Sequence, residues 1–314
     1  MKILITGISG FVGSNLVRKL AGQHTIYGLD IVDVPRKGVM RTYSWGDIDT
    51  RILPEVDTII HLAGKAHDTK NRSKAEEYFA VNTELTKRIY DYFLSSSARK
   101  FIFFSSVKAA ADRVEGAFVD ETVLPSPKGP YGESKMAAEQ YIRSKEDIRM
   151  SNGQSTYILR PCMIHGPGNK GNLNLLYNMV RKGIPWPLGA FENRRTFTSI
   201  DNLCYIINGL LTQDVESGIY NINDDEAVST NELIELICSA LGKKAHIWRI
   251  PKGLMTGFAK IGGWLHLPLN PERLQKLTEN YVSSNAKIKN ALGIEHLPVR
   301  AKDGLAKTIK AFKE

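Results

Sequence analysis

The sequence predicts a doubly wound α/β fold around a parallel sheet, and three observations carry that prediction. Short apolar runs of strand length alternate with amphipathic helical stretches through the first half of the chain. The first run, Lys2-Ile3-Leu4-Ile5-Thr6, reads as a strand buried on both faces and breaks at once into a glycine loop. Residues with reactive side chains collect just after these runs, at the strand ends where such sheets hold their ligands.

The glycine loop is Gly7-Ile8-Ser9-Gly10-Phe11-Val12-Gly13, and Ser14 to Leu20 continues as an amphipathic helix. Strand, loop and helix start together form a phosphate cradle. Gly7 and Gly10 let the backbone approach a pyrophosphate, with Phe11 and Val12 beside it, and the helix N-terminus meets the charge. Gly13 allows the helix to pack closely on the sheet. The second run, Thr25 to Leu29, ends in Asp30. A carboxylate at that tip accepts hydrogen bonds from an adenosine ribose and repels a 2′-phosphate, so NAD is expected rather than NADP. Arg36 and Lys37 follow closely and weaken that preference on charge grounds.

A third strand is predicted within Val39 to Trp45, and a fourth within Val56 to Gly64, which ends in small residues. Ala75 to Ser95 reads as helix, Lys100 to Ser105 as strand, Pro130 to Ser144 as helix and Thr156 to Arg160 as strand. The fifth strand delivers Ser105 and Ser106 at its carboxyl end. Tyr131 and Lys135 stand four apart near a helix start, which puts both side chains on one face. A phenol loses its proton only near a pKa of about 10, and a neighbouring ammonium lowers that value and makes the tyrosine a usable base. A serine hydroxyl in reach can hold the substrate oxygen while the proton moves.

Bulk properties narrow the class. Length allows one large or two modest domains, and 42% hydrophobic with 24% charged residues fits a globular protein. Cys162, Cys204 and Cys238 have no metal-binding spacing and suit a reduced cytoplasmic setting, so no metal is expected. The first strand begins at residue 2, which predicts no secretory leader. The apolar stretch from Gly253 to Leu269 is interrupted by Lys260 and His266 and is too short to span a bilayer. We read Ile261-Gly262-Gly263-Trp264 within it as packing. A net charge of +9 suits anionic ligands or an acidic membrane surface, whereas the lack of an interleaved basic and aromatic stripe disfavours nucleic acid.

These motifs, in this order, resemble the extended short-chain dehydrogenase/reductases of the NAD-dependent epimerase/dehydratase family. The marks are Thr6-Gly7-x-x-Gly10-x-x-Gly13, Asp30, Gly46-Asp47-Ile48, His61-Leu62-Ala63-Gly64, Val81-Asn82, Ser105-Ser106, Tyr131-x-x-x-Lys135 and Arg160-Pro161 leading to Gly166-Pro167-Gly168. The resemblance implies a Rossmann-type NAD domain over residues 1–165, to which 196–222 returns, and a smaller substrate domain over 166–314. It implies Ser106, Tyr131 and Lys135 as catalytic residues. It puts Asp47 and Ile48 at adenine, Leu62, Ala63, Gly64 and Lys65 along the dinucleotide, Asn82 near it and Cys162 towards the nicotinamide.

On the substrate side, the resemblance puts Asn172 on a nucleotide sugar and Arg195 on its diphosphate, with Arg273 as a second phosphate contact. A guanidinium fork suits that task because it meets two phosphate oxygens at once. Tyr281 aligns with a gate beside carbon 2, where a large ring would favour plain hexoses over N-acetylated ones. Family dehydratases carry an Asp-Glu pair after the catalytic hydroxyl residue, but Val107-Lys108 stands here, which disfavours dehydration. His165 replaces a common tyrosine. The expected activity is UDP-hexose 4-epimerisation through a 4-keto sugar. The alternative is reduction of a UDP-4-keto-sugar in surface-polysaccharide biosynthesis, and a catalytically silent NAD-binding regulator is a third reading. A homodimer is expected through the helical stretches Ala75–Ser95 and Pro130–Ser144.

Overall fold

Seven parallel strands form the central sheet, in the order β3-β2-β1-β4-β5-β6-β9. The computed structural model describes residues 1–32, 35–66, 74–169, 171–265 and 270–313, with the side chain of Asn172 excepted. Strand β1 (Lys2–Thr6) leads to α1 (Phe11–Leu20), β2 (Thr25–Leu29), β3 (Val39–Tyr43) and β4 (Thr58–His61). Next come α2 (Ala75–Tyr78), α3 (Leu85–Ser95), β5 (Lys100–Phe104), α4 (Val107–Ala110), α5 (Pro130–Ser144), α6 (Glu146–Ser151) and β6 (Ser155–Pro161). The second half holds β7 (Met163–His165), α7 (Asn172–Arg181), β8 (Phe197–Ser199), α8 (Ile200–Thr212), β9 (Gly218–Ile222) and α9 (Thr230–Leu241). It ends with α10 (Lys252–Trp264), α11 (Pro271–Thr278), α12 (Ala286–Leu292) and α13 (Ala301–Lys310).

Period-two side-chain alternation splits the strands between two cores. Ile3, Ile5, Ile60, Ile102 and Leu159 face α1 and α8, whereas Leu4, Ile59, Phe101 and Phe103 face α3 and α5. All these residues are essentially inaccessible, and each large one contributes about 1.5–3 kcal/mol on burial. A separate apolar core gathers Leu173, Tyr177, Trp186, Ile234, Ile237 and Leu305 from the second half. Segment 196–222 runs back to the sheet: β9 pairs with β6, and α8 packs on α1.

Strand order reverses direction between β1 and β4, and this opens a crevice beyond their carboxyl ends. The stretch from 75 to 95 departs from a single regular helix. A π-helical segment, Phe79–Glu84, separates α2 from α3 and carries Asn82. Such a widened turn has a tertiary cause here: Asn82 and Thr83 turn their side chains to α5, at Ser134. The predicted helix at 130–144 has the bounds expected.

Candidate active site

At the β1–β4 crevice the glycines are required by close approach. Gly7 has φ +67°, and a Cβ there would lie 2.8 Å from the Ala63 nitrogen. A Cβ on Gly13 would lie 2.6 Å from the Ile8 carbonyl oxygen, so α1 can start only without a side chain. The Asp30 carboxylate accepts the Ser9 N–H at 2.8 Å and the Ile31 N–H at 2.7 Å, which fixes the loop against the second strand tip. A groove of about 580 Å³ runs on from it, lined by Asp30, Arg36, Arg41, Tyr43 and Asp47. Asp47 caps its own 3₁₀ turn through Ser44, and Ile48 points into the core.

The catalytic candidates converge at the end of β5. Ser105 and Ser106 have separate tasks. Ser105 donates its proton to the buried Glu139 carboxylate. Ser106 caps α4, its oxygen accepting the Lys108 N–H at 3.2 Å, and its hydroxyl faces that of Tyr131. Tyr131 is the second residue of α5, which Pro130 starts. Burial raises the Tyr131 pKa, and the Ser106 hydroxyl pulls it down in part. Lys135 lies four residues further along the same helix. Its Nζ donates to the Phe104 carbonyl at 2.8 Å and sits 5.0 Å from the Phe103 ring centre. Burial brings Lys135 down to about 8, partly offset by Glu139.

Two buried networks hold this arrangement, and sequence reasoning assigned neither a role. Glu139 receives Arg160 through Nε at 2.9 Å and Nη2 at 2.5 Å, with both side chains almost wholly buried. Its position four residues after Lys135 was the available signal, since that spacing shares a helix face. The second network runs through His61. Thr86 gives its proton to the Asn82 carbonyl at 2.7 Å, so it accepts from His61 Nε2 at 2.9 Å. Burial, then the charge of Lys135, pushes His61 well below the histidine range, so the ring is neutral. Its Nδ1 therefore accepts from Thr6 Oγ1 at 2.6 Å, which itself accepts the Ala63 N–H at 3.1 Å. One hydrogen-bond chain thus sets the β1 end, the β4 end and the Asn82 turn.

Asn82 closes the wall of the crevice. Its Oδ1 accepts the Lys65 N–H at 2.7 Å, and its Nδ2 donates to Ser134 Oγ at 3.0 Å. A Cβ on Gly64 would lie 2.9 Å from Lys135 Nζ and 3.1 Å from Asn82 Oδ1. Leu62, Ala63, Gly64, Lys65, Asn82 and Lys135 are therefore one surface, and Lys65 also pairs with Glu77.

The model of the NAD dependent epimerase/dehydratase family matches residues 3–223, which is well over half of the chain. The chain belongs to that family. It is 28% identical over 321 residues to the UDP-glucose 4-epimerase of Vibrio cholerae, covering 99% of this chain and 95% of the relative. It is 26% identical over 296 residues to the N-acetyl-alpha-D-glucosaminyl-diphospho-ditrans,octacis-undecaprenol 4-epimerase of Escherichia coli O157:H7, covering 91% and 84%. Among solved structures it resembles MoeE5 in complex with UDP-glucuronic acid and NAD. That match has a TM-score of 0.78 at 22% identity and covers 100% and 99% of the two chains. It establishes the fold.

The family's cofactor is NAD, and the residues of this family member fit it. The side-chain-free approach of Gly7 to Ala63, the acid at Asp30 and the groove that runs from it to Asp47 are features that such a cofactor requires. Cys162 follows β6, and burial pushes its thiol up to about 12. It shares a small apolar cluster with Val107 and Tyr281, next to Ser106. The Tyr281 hydroxyl donates to the carbonyls of Ala111 at 2.7 Å and Val107 at 3.2 Å, and Lys108 Nζ lies 4.5 Å over its ring.

The arginines are placed differently. Arg195 donates to the Lys276 and Glu279 carbonyls and lies 3.6 Å from the Glu279 carboxylate. Its fork is thus engaged with the α11 end, and burial lowers its pKa. Arg194 is exposed and bonds the Ala227 carbonyl at 3.0 Å, while Arg273 is exposed on the first turn of α11. Asn172 opens α7, and its side chain lies outside the described residues. Among the described residues no group of metal-binding side chains occurs, and no helix is long and apolar enough to cross a membrane.

Proposed function

We propose that this protein is a nucleotide-sugar 4-epimerase acting on UDP-hexoses. The observation that carries the reading is the Ser106–Tyr131 hydroxyl pair with buried Lys135 one turn behind it, at the dinucleotide crevice. Bound NAD would supply a reversible acceptor for the carbon-4 hydride, taking it from one face of the sugar and giving it back to the other. Tyr131 takes the proton from the sugar's 4-hydroxyl while Ser106 donates a hydrogen bond to that oxygen. The Lys135 ammonium favours the phenolate that results, and Glu139 raises the fraction of lysine that stays charged. Arg160 and Ser105 hold Glu139 in place for that purpose. The 4-keto sugar then turns over in the site, and Tyr131 returns its proton as the hydroxyl re-forms on the other face.

Asn172, Arg195 and Arg273 are proposed to flank the nucleotide diphosphate, and Tyr281 to bound the sugar. We assign residues 1–165 to cofactor binding and 166–314 to substrate binding, with two copies pairing through α3 and α5. The names of both relatives as 4-epimerases of sugar diphosphates support the reaction class. Incubation with UDP-glucose and with UDP-N-acetylglucosamine tests the proposal. Interconverted sugars support it, and stoichiometric loss of NADH with a 4-keto sugar would make the enzyme a reductase instead.

A further inference from the structure

Helix α10 is apolar on two sides, and only one of them is covered. Met255, Ala259 and Gly262 are buried against the second core. Leu254, Phe258, Ile261 and Leu265 recur at helical spacing on the outward side and are 52–58% exposed, and Trp264 is 80% exposed. The expectation that Ile261 to Trp264 pack inward is therefore corrected: the glycines and small residues pack, and the large side chains face out. A contiguous outward stripe of this size marks a contact surface.

Charge says what covers it. Residues 236–271 contain Lys243, Lys244, Arg249, Lys252 and Lys260 and no acidic residue, so five of the nine net positive charges lie here. All five are exposed. The segment is held to the body by Trp186, whose N–H meets the His246 carbonyl at 2.9 Å and whose carbonyl accepts the Trp248 N–H at 2.8 Å. Trp248 stands beside Arg249 and is itself 55% exposed. Large apolar side chains, two exposed tryptophans and a segment with cations but no acids together describe an interfacial helix. A second copy of the chain would bring the same five cations against each other.

We propose that α10 seats its outward stripe in the surface of an anionic lipid bilayer, with the lysines and Arg249 at the headgroups. The helix supplies no residue to the crevice, so the proposal stands independently of the epimerase reading. The test is co-sedimentation of the full chain with vesicles of equal parts phosphatidylglycerol and phosphatidylcholine, against phosphatidylcholine alone. Binding should require the anionic lipid, weaken with salt, and fall about tenfold in the Phe258→Ser/Trp264→Ser variant. That variant should keep the wild-type unfolding midpoint, because both side chains are exposed. Equal binding to both vesicle types, no binding, or binding unchanged in the variant would overturn the proposal. A sedimentation coefficient that drops in the variant without lipid would also overturn it, by assigning the stripe to self-association.

Discussion

The ammonium of Lys135 lies 2.8 Å from the carbonyl oxygen of Phe104, and this bond ties the helix carrying Tyr131 to the end of the strand that leads to Ser106. A charge held between helix and strand fixes the distance between the two hydroxyls. It also exacts a cost, because Lys135 is buried as a cation.

That cost has a pH signature. Burial lowers Lys135 from 10.5 to about 8. Below pH 8 the folded state bears the full penalty. Between pH 8 and 10.5 the unfolded chain binds the proton better than the folded one, so stability rises with pH across this window. Lys135→Met removes the penalty, and the wild type should gain on this variant by about 3 kcal/mol between the two limits. Denaturant titrations along a pH series check this. Turnover should fall above pH 8, as the ammonium that favours the phenolate is lost.

Tyr131→Phe keeps the ring, including its edge contact with Tyr78, and removes the hydroxyl. Turnover should fall by about 10²–10⁴ or more with NAD affinity retained. Activity near the wild-type level would mean that another group is the base.

Asp30→Ala should weaken NAD about tenfold and narrow its advantage over NADP, since a hydrogen-bonding carboxylate is worth about that much. Fluorescence titration with both cofactors measures it. Equal or tighter NADP binding by the wild type would contradict the role of Asp30.

Tyr281→Ser should raise kcat/KM for N-acetylated over plain UDP-hexoses by about tenfold, since overpacking a filled site costs about 1–3 kcal/mol. The hydroxyl also anchors the carbonyls of Val107 and Ala111 beside Ser106. Tyr281→Phe separates the two effects: it should alter kcat through Ser106 and leave the sugar ratio unchanged.

Local signals made part of this site legible in the sequence. The glycine loop, Asp30 and the four-residue step from Tyr131 to Lys135 each depend on neighbours along the chain, so spacing exposes them. Glu139 with Arg160 and the Thr6–His61–Thr86 chain depend on strands and helices meeting in space, and a linear reading carries no distance for them. The π turn at Asn82 arises from tertiary bonds to Ser134 that override a regular helical pattern. On α10 both stripes are apolar, so periodicity identified the helix side as hydrophobic without telling which stripe the core would take.

The most direct test of the central claim follows the hydrogen on carbon 4. UDP-glucose carrying deuterium there is incubated with the enzyme, and the products are read by NMR. Hydride transfer and return within one closed site predicts UDP-galactose that keeps the deuterium, with no net change in nicotinamide absorbance. Loss of the label to water, or no galactose at all, would contradict the account.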